Sequence, residues 1–171
     1  MKYTILTNET KVHNGVTLHR IQAVSNFADV KAGDKGGWIE KESNLSQHDN
    51  AWIYDNAKVY GEAKVCDNAM VYGKARVSDN AMVCGNAWVF DDATVYDDAR
   101  VCGEAWVCGN ARVYGNAMVY GKAIVCGKAI VCDDAEVYDN AWISDYAKIY
   151  GNAKVYGDAK VYDTAWIYDN A

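Results

Sequence analysis

Asn110-Ala111-Arg112-Val113-Tyr114-Gly115 runs without a break into Asn116-Ala117-Met118-Val119-Tyr120-Gly121, and this stretch decides the fold. Alanine recurs at every sixth position from Ala51 to Ala171, with no insertion or deletion. Two residues after each alanine, from Ile53 to Ile167, stands valine or isoleucine in all twenty repeats. A strand sends residues two apart to the same side, so these two form an inward pair, one small and one branched. The residue between them and the residue after Val face outward. The fifth slot is Gly ten times and Asp ten times, and the sixth is often Asn. These types tolerate left-handed backbone conformations, so the fifth and sixth slots are the corners.

A helical reading fails on three counts. The period is six rather than 3.6, valine, isoleucine and tyrosine favour strands, and a Gly or Asp in every repeat would break a helix. Collagen-like and pentapeptide arrays are excluded by the period. A four-residue strand and a two-residue corner make one side, and three sides, hence three repeats, close a triangular coil. Twenty repeats then give about six and two-thirds coils, roughly 32 Å long at ~4.8 Å per coil. The predicted class is all-β: a three-sided parallel β-helix over residues 50–171, preceded by a segment, 1–49, outside the repeat.

The Ala-x-Val/Ile spacing resembles the hexapeptide-repeat family, whose coils form left-handed parallel β-helices. Parallel crossovers are right-handed as a rule, so left-handedness here is what the resemblance implies. Residues 23–54 resemble the N-terminal region of a bacterial group of hexapeptide-repeat proteins of unassigned activity. The likeness lies in Val30-Lys31-Ala32-Gly33, Gly36-Gly37-Trp38-Ile39, Asn44-Leu45-Ser46-Gln47 and Trp52-Ile53-Tyr54-Asp55. Similar arrays occur in bacteria and bacteriophages, which implies a bacterial or host cytoplasm. Fold-level likeness specifies architecture far better than function.

Within the segment 1–49, Asn14-Gly15 sits between Lys11-Val12-His13 and Val16-Thr17-Leu18, which predicts an antiparallel hairpin over residues 2–24. The glycine-rich stretch 32–37 is a turn leading into Trp38-Ile39. The expected role is a cap, because the first coil of a solenoid exposes unpaired strand edges. At the other end Asp169-Asn170-Ala171 breaks off mid-repeat, and a tail-to-tail contact there is an expectation.

Composition narrows the classes. The 171 residues suit one domain, contain no proline and carry a net charge of −6, which argues against a nucleic-acid partner. No apolar run approaches the ~20 residues of a membrane span, and the N-terminus reads as no secretory signal. Six cysteines without a signal read as free thiols in a reducing cytosol.

Positions three repeats apart stack on one face. The outward slot before Val gives the first face Trp52, Met70, Trp88, Trp106, Ile124, Trp142 and Lys160, beside Tyr54, Tyr72, Phe90, Cys108, Cys126, Ser144 and Tyr162. Four of the six tryptophans fall in this one row. The second face carries Lys58, Arg76, Thr94, Arg112, Ile130, Lys148 and Trp166 with Tyr60, Tyr96, Tyr114 and Tyr150. The third carries Lys64, Met82, Arg100, Met118, Glu136 and Lys154.

A contiguous apolar face of this kind marks an interface, with Trp and Tyr as its anchors. The leading expectation is a non-enzymatic scaffold that self-associates through the first face as a dimer or trimer. The alternative is a binding protein that stacks a small planar anion, such as a nucleotide, on its aromatic rows. Lys58, Arg76, Arg112, Tyr96 and Tyr114 are a secondary anion candidate, though they serve equally as a solubilising face.

No catalytic residue, cofactor or metal is predicted. Hexapeptide acyltransferases use a histidine in the coils and a projecting loop, whereas His13, His19 and His48 all precede the array and no loop interrupts it. Acyl transfer is a distant third reading. The cysteine rows (Cys66, Cys84 and Cys102; Cys108 and Cys126) are flat and fit neither a disulfide nor a tetrahedral metal site. The corner pairs Asp91-Asp92, Asp97-Asp98 and Asp133-Asp134 read as solvated turns rather than a calcium site.

Overall fold

A computed structural model describes residues 1–169; the expected stop at Asn170-Ala171 lies outside them. Twenty short strands, from Trp52–Ile53 to Trp166–Ile167, each hold the x-Val/Ile pair of one repeat. They sort into three sheets, and every neighbour in a sheet is parallel and three repeats away, as in Trp88↔Trp106, Thr94↔Arg112 and Arg100↔Met118. The molecule is therefore a three-sided β-solenoid with the predicted period. All inward Ala and Val/Ile side chains from Ala51 to Ala153 are completely buried.

The sides are less strand-like than expected. Only two residues per side hold strand geometry, against the four predicted, because the chain bends at both flanks. The ladder between coils nonetheless continues through the corners. In one repeat Lys58 N–H donates to Ala75 O, Tyr60 N–H to Val77 O, and Asn56 N–H to Gly73 O. The turn itself closes where Ala57 N–H donates to Tyr54 O at 3.1 Å.

Corner chemistry explains the even split of the fifth slot. Its residue has φ near +60°, whether Gly or Asp, while the sixth slot has no positive φ. The left-handed turn thus falls on one residue, and the sixth slot, predicted to share it, has another task. Asparagines there reach the next coil: Asn50 donates to Asn68, Asn68 to Asn86, and Asn80 to Asp98.

An aspartate in slot five accepts the slot-five N–H of the coil above. Asp67 takes Gly85 N–H at 2.8 Å, and Asp97 takes Gly115 N–H at 3.1 Å. Asp55, Asp79, Asp91, Asp133, Asp139 and Asp145 do the same. Glycine relieves strain and leaves that N–H to water; aspartate bears some strain and satisfies it. The corner carboxylates lie in exposed turns, as read from sequence, and those in slot five are backbone acceptors as well. Asp97→Ala keeps the strain and loses the acceptor, for an expected cost of about 1–3 kcal/mol. Asp97→Gly should cost less, and chemical denaturation of both variants compares them.

The N-terminal segment begins as the predicted hairpin: β1 (Tyr3–His13) pairs antiparallel with β2 (Val16–Ala23) across Asn14-Gly15, both with positive φ. β2 then pairs with β3 (Lys35–Ile39), and β3 lies parallel under Lys58-Val59. The hairpin is in this way the first part of the second sheet, ten strands in all. Leu45 bridges Val65 in the third sheet. Coil geometry therefore begins at β3, and residue 50 marks only where the sequence becomes regular.

Gly36 and Gly37 are there for space. A Cβ on Gly36 would sit 2.6 Å from Trp52 Cζ2, and one on Gly37 would collide with Ile53 Cγ2. Above them Lys2 spans the open end, its Nζ donating to Ala51 O at 2.7 Å and His48 O at 3.1 Å. Burial lowers the Lys2 ammonium to about 8, an effect Asp49 partly offsets. Tyr3 hydroxyl donates to Leu45 O at 2.8 Å.

Candidate functional site

The first face emerges as an aromatic surface with its first member removed. Trp52 is 1% exposed, because the N-terminal segment covers it: Tyr3 meets it edge-on at 6.1 Å and Phe27 at 5.3 Å. Trp52 therefore anchors the cap and is unavailable to a partner, which corrects its place among the candidate interface residues. Tyr54 is also drawn in, donating to Asp29 at 2.8 Å, and burial and that carboxylate push its hydroxyl pKa up.

Beyond the cap the row stays open. Trp106 is 40% and Trp142 46% exposed, with Met70, Trp88 and Ile124 partly covered. Trp88 and Trp106 stack with centroids 5.3 Å apart and planes 4° from parallel, and Tyr72 stacks on Phe90 at 5.0 Å. Edge contacts at 6.1 Å tie Tyr72 to Trp88 and Phe90 to Trp106. In-register stacking of successive coils produces this block, since coil spacing is close to ring-stacking distance.

These spacings bear on ligand stacking. A ring inserted between two others needs about 7 Å, twice a carbon–carbon contact. The gap at Trp88–Trp106 is 5.3 Å and that at Tyr96–Tyr114 is 4.8 Å. The rings already occupy one another's faces and offer solvent mainly their edges.

The third face repeats the pattern with Tyr120, Tyr138 and Tyr156, stacked at 4.9 and 5.3 Å. Its thiols form the other half of that row. Cys66, Asp67 and Cys84 bring ligand atoms within 4.8 Å of one another. Burial and its cysteine neighbours push the Cys84 thiol up to about 12. On the first face the Trp142 indole N–H donates to Cys126 Sγ at 3.3 Å.

The second face gathers the basic candidates and adds a feature the sequence did not disclose. The far end of the hairpin bends over this face, and His13 packs edge-on against Tyr60 at 5.5 Å. Lys11 Nζ lies 3.9 Å and the Arg20 guanidinium 5.1 Å from the centre of the Trp38 ring. Two open grooves result, one on each side of Arg76, of about 800 and 470 Å³. Arg76 donates to Thr94 hydroxyl at 3.3 Å and Arg112 to Tyr96 hydroxyl at 2.8 Å. Both Arg112 and the stacked Tyr96–Tyr114 pair are thereby fixed as one unit. The signal for the overhang was the length of β1, far longer than any coil strand, and it did not reveal the direction of the bend.

Comparison with known proteins adds to this geometry. Residues 63–77, 75–90, 105–117 and 111–127 match the family described as YdcK Beta solenoid repeat. A protein of Escherichia coli (strain K12) named "Uncharacterized acetyltransferase YdcK" is 49% identical over 47 residues, which is 28% of this chain and 14% of that protein. The aligned stretch thus spans about a seventh of the relative's length. With three sheets built of three-repeat coils, these matches agree with a three-sided β-solenoid. No helix among the described residues is long and apolar enough to cross a membrane.

Proposed function

We propose that this chain is a non-enzymatic β-solenoid scaffold that associates with a second copy of itself through the first face. The observation that carries the reading is the outward row Trp88, Trp106, Ile124 and Trp142: four successive coils without a charge, in a chain of net charge −6. A charged partner would find nothing there to pair with. A second copy would bury aromatic edges and desolvate no ion on that row.

The size of the face sets the strength. Five coils from Met70 to Trp142 span roughly 24 Å, and a side is about 15 Å wide. Such a patch, about 360 Å² per copy or roughly 720 Å² for the pair, is smaller than the ~1,200 Å² at which standard specific interfaces begin. Association is therefore reversible and concentration-dependent rather than permanent.

Trp106→Lys/Trp142→Lys tests this. Lysine already occupies the same slot at Lys58, Lys64, Lys148, Lys154 and Lys160, so the fold tolerates it. Sedimentation equilibrium should show the native chain associating as concentration rises and the variant staying monomeric while circular dichroism still reports the folded solenoid. Equal apparent mass for both would sink the reading.

One finding favours a second reading, acyl transfer: the printed name of the E. coli relative. Against it stand the positions of His13 and His19 in the hairpin, with His48, ahead of the regular repeats, the one histidine within the coil geometry. Thiol release from acetyl-CoA, measured with amine and hydroxyl acceptors, decides. Turnover above the acceptor-free rate would overturn the non-enzymatic assignment.

A further inference from the structure

The smaller groove on the second face is lined by Lys11 and His13 of the hairpin and by Lys58, Lys74 and Arg76 of the coils, with Asn56 and Asn110. Asp92 is the one carboxylate among its lining residues. A chain of net charge −6 has here assembled four cations against one anion, from segments far apart in the sequence. None is neutralised by a close ion pair. The salt bridges among the described residues join Lys35 to Glu9, Lys41 to Glu62, Lys122 to Glu104 and Lys154 to Glu136.

Three further observations point the same way. Buried side-chain nitrogens without a hydrogen-bond partner occur among the described residues at His13 Nε2, His19 Nδ1, Arg20 Nε and Trp38 Nε1. Of these His13 lines the groove, and Trp38 adjoins it, paired with Lys58 in the ladder and lying under Lys11. Lys11 is held down to about 8 by burial, Lys58 and Arg20, and His13 is lowered by burial, Lys58, Arg76 and Lys11. Burial is the larger cause of both shifts and the neighbouring cations add to it; with no paired carboxylate, a bound anion would oppose both. The adjoining larger groove supplies neutral donors, Tyr60, Thr94 and Asn14, together with Arg112. Its carboxylates are engaged: Glu40 with Gly61 N–H at 2.7 Å, and Asp79 with Ser78 hydroxyl at 2.9 Å.

We infer that the hairpin and the second face together form a binding site for an oligophosphate, a chain of two or more phosphates either inorganic or carried on a nucleoside. Lysines supply point charges and Arg76 a planar fork for the phosphate oxygens. A single phosphate would leave most of these cations unpaired. Lys58 and Arg76 stand one above the other along the solenoid axis at the coil spacing of ~4.8 Å, so both can reach one phosphate chain laid along the row.

Isothermal titration calorimetry with inorganic triphosphate and, separately, with ATP tests the site. Lys58→Thr/Arg76→Thr is the control variant, because Thr94 shows that threonine fits this slot. The expected result is one site per chain for triphosphate, with affinity at least tenfold weaker in the variant at an unchanged unfolding midpoint. Tighter binding of ATP than of triphosphate would assign the nucleoside to the larger groove; equal affinity would assign the phosphates alone.

Affinity should also fall as the pH rises from neutrality through the lowered Lys11 value of about 8, because the ammonium loses its proton there. The other charged and titratable groups facing this groove are Lys58, Lys74, Arg20, Arg76, His13 and Asp92. His13, lowered already, is neutral throughout that range. No heat from either ligand, or equal affinity in the variant, would overturn the inference and leave the row a solubilising surface.

Discussion

Trp52→Ala is expected to cost about 3–5 kcal/mol, the range for deleting a fully buried aromatic. The indole touches three separate pieces of chain: Tyr3 in β1, Phe27 in the loop between β2 and β3, and the backbone at Gly36, where a Cβ would come within 2.6 Å of Cζ2. Its loss leaves a cavity among elements that cannot collapse together, because β3 is fixed by its ladder to Lys58-Val59. The cap should therefore loosen before the coils do. Hydrogen exchange reads this directly: amides of β1, β2 and residues 38–51 should lose protection, while those beyond residue 90 keep theirs. Uniform loss along the chain would mean that cap and coils unfold as one unit.

Ala111→Leu is the second large effect. Ala111 is completely buried, and its N–H closes a turn on Cys108 O at 3.2 Å. The side chain sits where two sheets meet, and the inter-coil ladder on both sides fixes the coil spacing. A leucine there adds three carbons with nowhere to go, at a cost of about 3 kcal/mol or more, the upper part of the overpacking range. Val113→Ile is the matched control. Isoleucine already fills that slot at Ile53, Ile143, Ile149 and Ile167, so its cost should stay under about 1.5 kcal/mol. Urea denaturation of the pair gives the comparison. Similar midpoints would show that the corner has slack and that alanine there reflects something other than space.

Much of the fold was legible because it is one-dimensional. A period of six with inward residues two apart leaves few closed solutions, and once three repeats make a coil, face membership is arithmetic. The rows Trp52–Lys160, Lys58–Trp166 and Lys64–Lys154 came out as the three sheets have them. The Asn14-Gly15 hairpin was equally local, since a tight turn with two positive φ values needs only those two positions.

The shortness of the strands was not legible. Strand propensity extends to Tyr and Cys in slot four, but closing a triangle forces the bend earlier. The backbone contacts of the corner aspartates were not legible for a related reason. Their role depends on an N–H that is three repeats away in sequence but adjacent in the next coil, as between Asp97 and Gly115.

The sequence by itself determined the period, the inward pair, the corners and the composition of each face, because all of these follow from spacing along one chain. Only the tertiary structure decided what those faces can do. Packing of Tyr3 and Phe27 withdrew Trp52 from the aromatic row. Ring stacking at coil spacing set the rings of successive coils against one another. The bend of the hairpin over Lys58 and Arg76 turned a basic row into a groove. Each depends on where the irregular N-terminal segment docks, and no repeat constrains that.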